Sequence, residues 1–313
     1  MPASMSHFTP SPGFSHLVGK DSFLIEHNLS GHELFTRAAL KKLVEKAGAR
    51  HAKQSYRGGK LQPGFFIKQG VGNLEWGTPE FQRALDEAYE NINFSGSRIK
   101  LTDIQQFDEY ADLLADCINN LSGVTGIDFK HDFNRAIATL FISSPGEVTP
   151  YHIDQEVNFF LQIEGPKQVQ LFNGRDRSIV TPKNLEEFWA GNSFIERHPS
   201  AEPRTYHLGP NQGVHQPPFF PHTVKVGDGM SVSLSLGFRV ARFPEAEVSR
   251  MNSYMRKLGL HPNPPGTSRG SDTLKSVFIR SALRLKEHFL GTNGVPLSAL
   301  LRRHIAHAHS AAG

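Results

Sequence analysis

The hydrophobic period changes twice along this chain, near residues 134 and 240, and those two changes limit the possible architecture more than any other feature. Upstream, apolar residues recur at helical intervals. Leu34, Phe35, Ala38, Leu43 and Val44 follow a Ser30-Gly31 start, with Gly48 placed to end the run. Phe81, Leu85 and Ala88 follow Thr78-Pro79, and Phe107, Leu114, Cys117, Ile118 and Leu121 precede Gly123. These spacings predict three amphipathic helices and a mainly helical first 125 residues. Between the two changes the β-favouring runs are short, at 136–142, 157–163, 167–172, 222–226 and 231–240. Turn chemistry separates them at Pro145-Gly146, Glu164-Gly165-Pro166, Asn173-Gly174 and Gly227-Asp228-Gly229. The pattern predicts a mainly β fold with flanking helices, its core a sandwich or barrel at about 134–240. After a Pro/Gly-rich link at 261–266, Leu274, Val277, Phe278 and Leu285 restore helical spacing behind Ser271. The expected organisation is a flexible arm over 1–20, a main domain over 21–260 and a helical region over 267–313.

Composition excludes several classes. Charged residues make up 20% of the 313 and hydrophobic ones 38%, which is globular and not disordered. Lys and Arg number 34 against 30 Asp and Glu, spread along the chain, so no nucleic-acid partner is expected. The single cysteine, Cys117, lies in a helical stripe and reads as a small buried hydrophobe in a reducing compartment. No run of apolar residues is long enough to span a membrane and the N-terminus lacks a signal pattern, so a cytoplasmic location is expected.

The chemistry centres on Thr149-Pro150-Tyr151-His152-Ile153-Asp154. On a strand, His152 and Asp154 point to one face and can reach one metal together. Spacing alone is weak, because 16 histidines and 30 acids give a His-x-acid pair by chance about once or twice. A second element, Pro217-Pro218-Phe219-Phe220-Pro221-His222, delivers a histidine at a strand start, sharing a face with Val224 and Val226. His222 is then either hydrogen-bonded inside the core or a third ligand. Two histidines and a carboxylate converging inside a β-barrel match the facial triad of non-haem Fe(II) oxygenases.

Lys167 follows the Glu164-Gly165-Pro166 turn and shares parity with Val169 and Leu171, which puts a lysine on an apolar strand face. It is either a strand-end lysine reaching back to water or a buried counter-charge. A dicarboxylate chelating iron at one end leaves its other carboxylate inside the barrel, where burial is costly without a cation. Lys167 suits that role, with Thr149 adding a hydroxyl.

The order and spacing of these residues resemble the Jumonji-C and cupin-like oxygenases, especially the asparaginyl-hydroxylase-like branch and its bacterial cupin-like relatives. The resemblance rests on Thr149, His152-x-Asp154, Asn158-Phe159-Phe160, Gln162-Ile163-x-Gly165-x-Lys167, Leu171-Phe172, and Pro221-His222 ahead of Ser231-Val232-Ser233-Leu234-Ser235. It covers about 134–240 well and the flanks loosely. It implies a double-stranded β-helix, a jelly roll, with iron held by His152, Asp154 and His222. It also implies 2-oxoglutarate as cosubstrate on Lys167 and Thr149, Asn158 close to it, and O₂ as oxidant. The expected reaction is hydroxylation of a peptide side chain, an amino acid or a small metabolite, and N-demethylation begins from the same step. A homodimer through the C-terminal helices is also expected.

The sequence departs from that pattern in two places. Phe220-Pro221 replaces an aromatic pair before the distal histidine, and Ser233 and Ser235 stand where some relatives place asparagine. His215, just before Pro217-Pro218, reads as a loop histidine and a reserve ligand, and Arg239 as a strand-end arginine in water or a second partner for the cosubstrate. Two rival functions remain: a cupin-like binding or regulatory protein without turnover, and a metal cupin dioxygenase or isomerase that uses no 2-oxoglutarate.

Overall fold

In a computed structural model of the chain, the described residues are 7–9, 14–55, 65–67, 79–93, 98–240, 243–290, 295–296 and 299–300. Eight strands form the core: β4 (Phe133–Ser143), β5 (Val148–His152), β6 (Val157–Glu164), β7 (Lys167–Leu171), β8 (Arg204–Leu208), β9 (Gln212–Gln216), β10 (His222–Val226) and β11 (Ser231–Val240). They divide into two antiparallel sheets, β9-β6-β11-β4 and β5-β10-β7-β8, which is the strand order of a jelly roll. Upstream strands β1 (Phe23–Glu26), β2 (Phe65–Ile67) and β3 (Arg98–Thr102) widen the larger sheet: β1 pairs with β9 on one edge, and β3 with β4 on the other. A two-residue β12 (Val295–Pro296) pairs with β4.

Strand alternation explains both the core and the cavity. On β11, Val232, Leu234, Leu236 and Phe238 are buried in the main apolar cluster, alongside Ala138, Leu140 and Ile142 of β4. That cluster also takes Leu40, Leu43 and Val44 of α2 (Arg37–Ser55) and Leu114, Cys117, Ile118 and Leu121 of α4 (Asp108–Thr125), so the two helices cover the outer face of the larger sheet. The alternate residues of β11 and β4, including Ser233, Ser235, Gly237, Thr139, Phe141 and Ser143, line the space between the sheets. Each fully buried aliphatic side chain on the outer face is worth about 1.5–3 kcal/mol, so this face fixes the register and leaves the inner face to polar residues.

Several sequence expectations need correcting. The first 125 residues are not mainly helical throughout, because β1 and β3 are drawn into the sheet by partners far along the chain. Of the segment expected as a loose arm, the described part packs: Phe8 is buried and bridges to His27, and Phe14 of the short α1 (Phe14–Leu17) stacks on Phe23. α2 begins after two turns of 3₁₀ helix and runs on through Gly48, while α4 ends at Gly126 in the left-handed conformation, three residues after Gly123. α3 (Pro79–Glu90) starts at the proline, as expected. A four-residue α5 (Phe129–Asp132) leads into β4, and α6 (Pro182–Ala190) carries a Thr181–Asn184 capping box. After the core come α7 (Pro244–Lys257), packed on α6, and α8 (Arg269–Leu290). Residues 301–313, part of the expected C-terminal helical region, lie outside the described residues.

Candidate metal centre and its cavity

β5 and β10 are neighbours in the smaller sheet, and their register sets His152 opposite His222 with the ring centroids 4.2 Å apart. Each ring is oriented by its own backbone. Nδ1 of His152 lies 2.8 Å from the Pro150 carbonyl and Nδ1 of His222 lies 3.0 Å from that of Phe220, the same two-residue step back along the chain. Donation from Nδ1 leaves each Nε2 a lone pair, as metal-ligating histidines require. Both Nε2 atoms lie 3.6 Å from Oδ2 of Asp154, and the three ligand atoms fall within 4.8 Å of one another.

Asp154 reaches this point by a different route from the one its spacing predicts. β5 ends at His152, so the pair does not share a strand face. Instead Ile153 is wholly buried and its N–H donates to the Ser193 carbonyl at 2.9 Å, while the Asp154 carbonyl accepts from Phe219 N–H at 2.6 Å. Phe219 itself adopts a left-handed backbone, φ 59°, at the turn that leads into β10. The loop carrying Asp154 is thus tied to the turn that carries His222.

Asp154 lies deep within the protein, yet 49% of its side chain faces the open cavity. Burial works to raise its pKa, but the imidazoles beside it, His152 foremost, outweigh it and hold the carboxyl well below the usual range. Burial lowers His152, and the Asp154 carboxylate beside it more than reverses that, so His152 is raised. His222, with burial dominant and His152 beside it, is lowered to about 4 and is neutral at ordinary pH. One carboxylate between two such rings is a donor set for a divalent cation, with one side left open to the cavity.

The cavity encloses about 550 Å³ and runs between the two sheets. At its closed end Lys167 enters from β7, 5% exposed, with Val169 and Leu171 on the same inward face. The parity expected from the sequence is therefore present. Its ammonium donates to Ser233 Oγ at 2.6 Å and lies 5.3 Å from the Phe160 ring. Ser233 passes the bond to Gln162 Oε1 at 2.7 Å, and Gln162 Nε2 is held by Ser231 Oγ and the carbonyls of Glu164 and Gly165. Burial brings Lys167 down to about 7, with Glu147 opposing the fall and Arg98 adding to it.

Thr149 also lines the cavity, where its hydroxyl accepts from Arg98. Asn158 sits further out, accepting from Ser235 Oγ at 2.8 Å and donating to Gln216 Oε1 at 2.9 Å. Arg239 at the mouth is within 3.5 Å of Glu156, so it is not simply a strand-end arginine in water. His215 is neither in a loop nor near the cluster. It lies on β9, fully buried, where Nε2 accepts Gly19 N–H at 2.8 Å and Nδ1 lies 3.1 Å from the Asn158 carbonyl. Burial lowers it to about 3, so it is a neutral core histidine.

Sequence reasoning passed over Arg98, Lys100, Glu147, Gln216 and Phe194, all of which line this cavity. A signal existed for the first two: in Arg98-Ile99-Lys100-Leu101-Thr102 the apolar residues alternate with polar ones, which places both cations on one face. Phe194, whose ring lies 6.0 Å from that of His152, gave none.

No family model matches this chain. No curated protein matches it either. Among solved structures, ycfD from Escherichia coli is similar at 14% identity, with 91% of this chain and 70% of that one covered and a TM-score of 0.47. YcfD described as a ribosomal oxygenase in complex with cobalt and 2-oxoglutarate aligns at 13% identity, 88% and 68% coverage, and a TM-score of 0.45. A cupin superfamily protein from Desulfitobacterium hafniense covers 34% of this chain and 68% of its own, at 13% identity and a TM-score of 0.23. Likeness as low as this carries no functional conclusion. Among the described residues no helix is long and apolar enough to cross a membrane.

Proposed function

We propose that this chain is a non-haem Fe(II)- and 2-oxoglutarate-dependent oxygenase, a hydroxylase of the Jumonji-C/cupin-like kind. One observation carries the reading: the His152–Asp154–His222 cluster and the buried ammonium of Lys167 open into the same cavity. The donor set fits Fe(II), since both histidines have Nδ1 engaged and Nε2 turned toward Asp154. Held there, Fe(II) would supply the redox chemistry that couples oxidative decarboxylation of 2-oxoglutarate by O₂ to removal of a hydrogen from the substrate. One oxygen atom goes to succinate and the other to the hydroxylated product, with CO₂ released.

The protein's own part is binding and exclusion. Lys167 and Thr149 would take the far carboxylate of the cosubstrate, Asn158 would border it with Gln216 and Ser235, and the apolar wall of Phe160 and Val224 would keep water from the reacting atoms. The substrate, a peptide side chain, an amino acid or a small metabolite, would enter by the mouth where Phe194 and the Glu156–Arg239 pair lie. The asparaginyl-hydroxylase-like branch is the nearest pattern for its site residues. The test is succinate formation and O₂ uptake with Fe(II), 2-oxoglutarate and a panel of such substrates. Metal binding without any 2-oxoglutarate binding would favour a metal cupin of another kind, and 2-oxoglutarate binding without turnover a regulatory protein.

A further inference from the structure

Lys100 stands on the inner face of β3, half-buried, and lines the cavity beside Phe141, its cross-strand partner on β4. Its ammonium lies 5.6 Å from the centre of the Phe141 ring, and among the described residues it forms no ion pair and no hydrogen bond. A lysine placed in this way is already partly stripped of water and keeps three N–H donors to give. Its place is the metal end of the cavity. The charge of Lys100 bears on both His152 and Asp154, whereas the charges that bear on Lys167 come from Glu147 and Arg98.

The other side of the mouth is arranged differently. Glu156 follows Asp154 by two residues and lies 3.5 Å from Arg239 of β11, so these two charges offset each other. In the larger sheet β4 separates β3 from β11, and it turns the uncharged Ile137 and Thr139 to the cavity between them. The mouth is therefore polarised, with a lone ammonium on the β3 side and a self-compensating pair on the β11 side. Phe194, 56% exposed and with its ring 6.0 Å from that of His152, adds an apolar face close to the cluster. Fe(II), the Asp154 carboxylate, both carboxylates of 2-oxoglutarate and the Lys167 ammonium sum to zero formal charge, so they leave Lys100 without an anion. We infer that Lys100 determines substrate specificity: the substrate is a carboxylic acid, its carboxylate held by the Lys100 ammonium and its hydrocarbon part lying against Phe194 before the cluster. This rests on the oxygenase reading and deepens it, narrowing the substrate to free amino acids and other small acids.

The experiment is anaerobic calorimetry on full-length protein loaded with Mn(II) and saturated with 2-oxoglutarate, so that added acids cannot enter the Lys167 end. The common L-amino acids and a set of short monocarboxylic acids are titrated, each beside its primary amide. At least one acid should bind, and its amide more weakly by about tenfold or more, since the amide loses a charge-assisted hydrogen bond at a half-buried site. In Lys100→Met the difference should vanish and in Lys100→Arg most of it should return, with Mn(II) and 2-oxoglutarate bound as in the wild type. A merely structural lysine would not separate acid from amide. Amides that bind as tightly as their acids, an acid preference that survives Lys100→Met, or no acid bound at all would each overturn the inference and leave the oxygenase reading standing. Loss of 2-oxoglutarate affinity in Lys100→Met would place the lysine at the cosubstrate end and overturn it as well. Failure of the wild type to bind 2-oxoglutarate overturns both readings. Where Lys100→Met does not fold, Lys100→Gln, which keeps most of the stem and a polar tip, gives the same comparison.

Discussion

His152 and His222 are cross-strand partners, yet each points its Nε2 at the same carboxylate oxygen of Asp154, 3.6 Å away. Strand pairing fixes the two histidines, whereas Asp154 depends on a loop held by Ser193 and Phe219. One strand pair therefore sets both histidines, and the loop of Asp154 is tied through Phe219 to the turn that leads into His222.

His152→Ala, Asp154→Ala and His222→Ala should each abolish Fe(II) or Mn(II) binding, read by calorimetry or by the free Mn(II) signal in electron paramagnetic resonance. His215→Ala should bind metal normally, because that ring serves Gly19 and Asn158 in the core. It should instead lower stability by about 1–3 kcal/mol, the cost of leaving buried polar groups without partners. Metal loss in His215→Ala with metal retained in His222→Ala would reverse the assignment.

Lys167→Ala should keep the metal and lose 2-oxoglutarate, by about 3–5 kcal/mol or more than a hundredfold, since an anion would be buried without its cation. Lys167→Arg should recover little of this. The ammonium fits between Ser233 Oγ and the Phe160 ring, and a planar guanidinium is wider than that space. Unchanged cosubstrate affinity in Lys167→Ala would remove Lys167 from the site.

These side chains were legible in the sequence because each sits where a local rule applies. Parity alone put Lys167 inside, and the register of a proline-started strand put His222 beside Val224. What stayed hidden is what other parts of the chain decide. Arg98 lies on a five-residue strand whose place in the sheet comes from β4, and β9 carries polar, buried residues, His215 and Gln216, that have no hydrophobic alternation to read. Asp154 was found by spacing, but through a strand that stops two residues before it.

Gly165 is the hinge on which Lys167 is delivered. It has φ +73°, and a Cβ there would meet the Met230 carbonyl oxygen at 2.3 Å, so the β6–β7 turn admits no larger residue without shifting the strand that follows. Gly165→Ala should lower stability by roughly 1–3 kcal/mol and weaken 2-oxoglutarate binding more than metal binding. Chemical denaturation followed by titration checks both, and a variant as stable as wild type would show that the turn relaxes freely.

α8 presents Leu274, Val277, Phe278 and Leu285 to solvent along one side, and no described residue covers them. An apolar stripe of this length on a helix outside the core favours self-association, and we propose a homodimer through it. Light scattering at rising concentration should report twice the chain mass, and Leu274→Glu with Phe278→Glu should give a monomer that binds metal normally. A wild-type monomer at high concentration would dismiss the dimer.

The pH dependence of cosubstrate binding follows from the state of Lys167 in the open cavity. Burial, opposed by Glu147 and reinforced by Arg98, brings it to about 7, far below an ordinary lysine. A carboxylate beside the ammonium favours the charged form, so the complex has the higher pKa. Below about pH 7 the lysine is already protonated and affinity should be flat. Above that, binding must take up a proton, so affinity should fall as pH rises, by up to about tenfold per unit, until the pKa of the complex is passed. Titrations at pH 8 in buffers of different ionisation enthalpy should show net proton uptake, and at pH 6 almost none. In Lys167→Met the slope should vanish. Uptake that persisted in that variant would place the titrating group elsewhere.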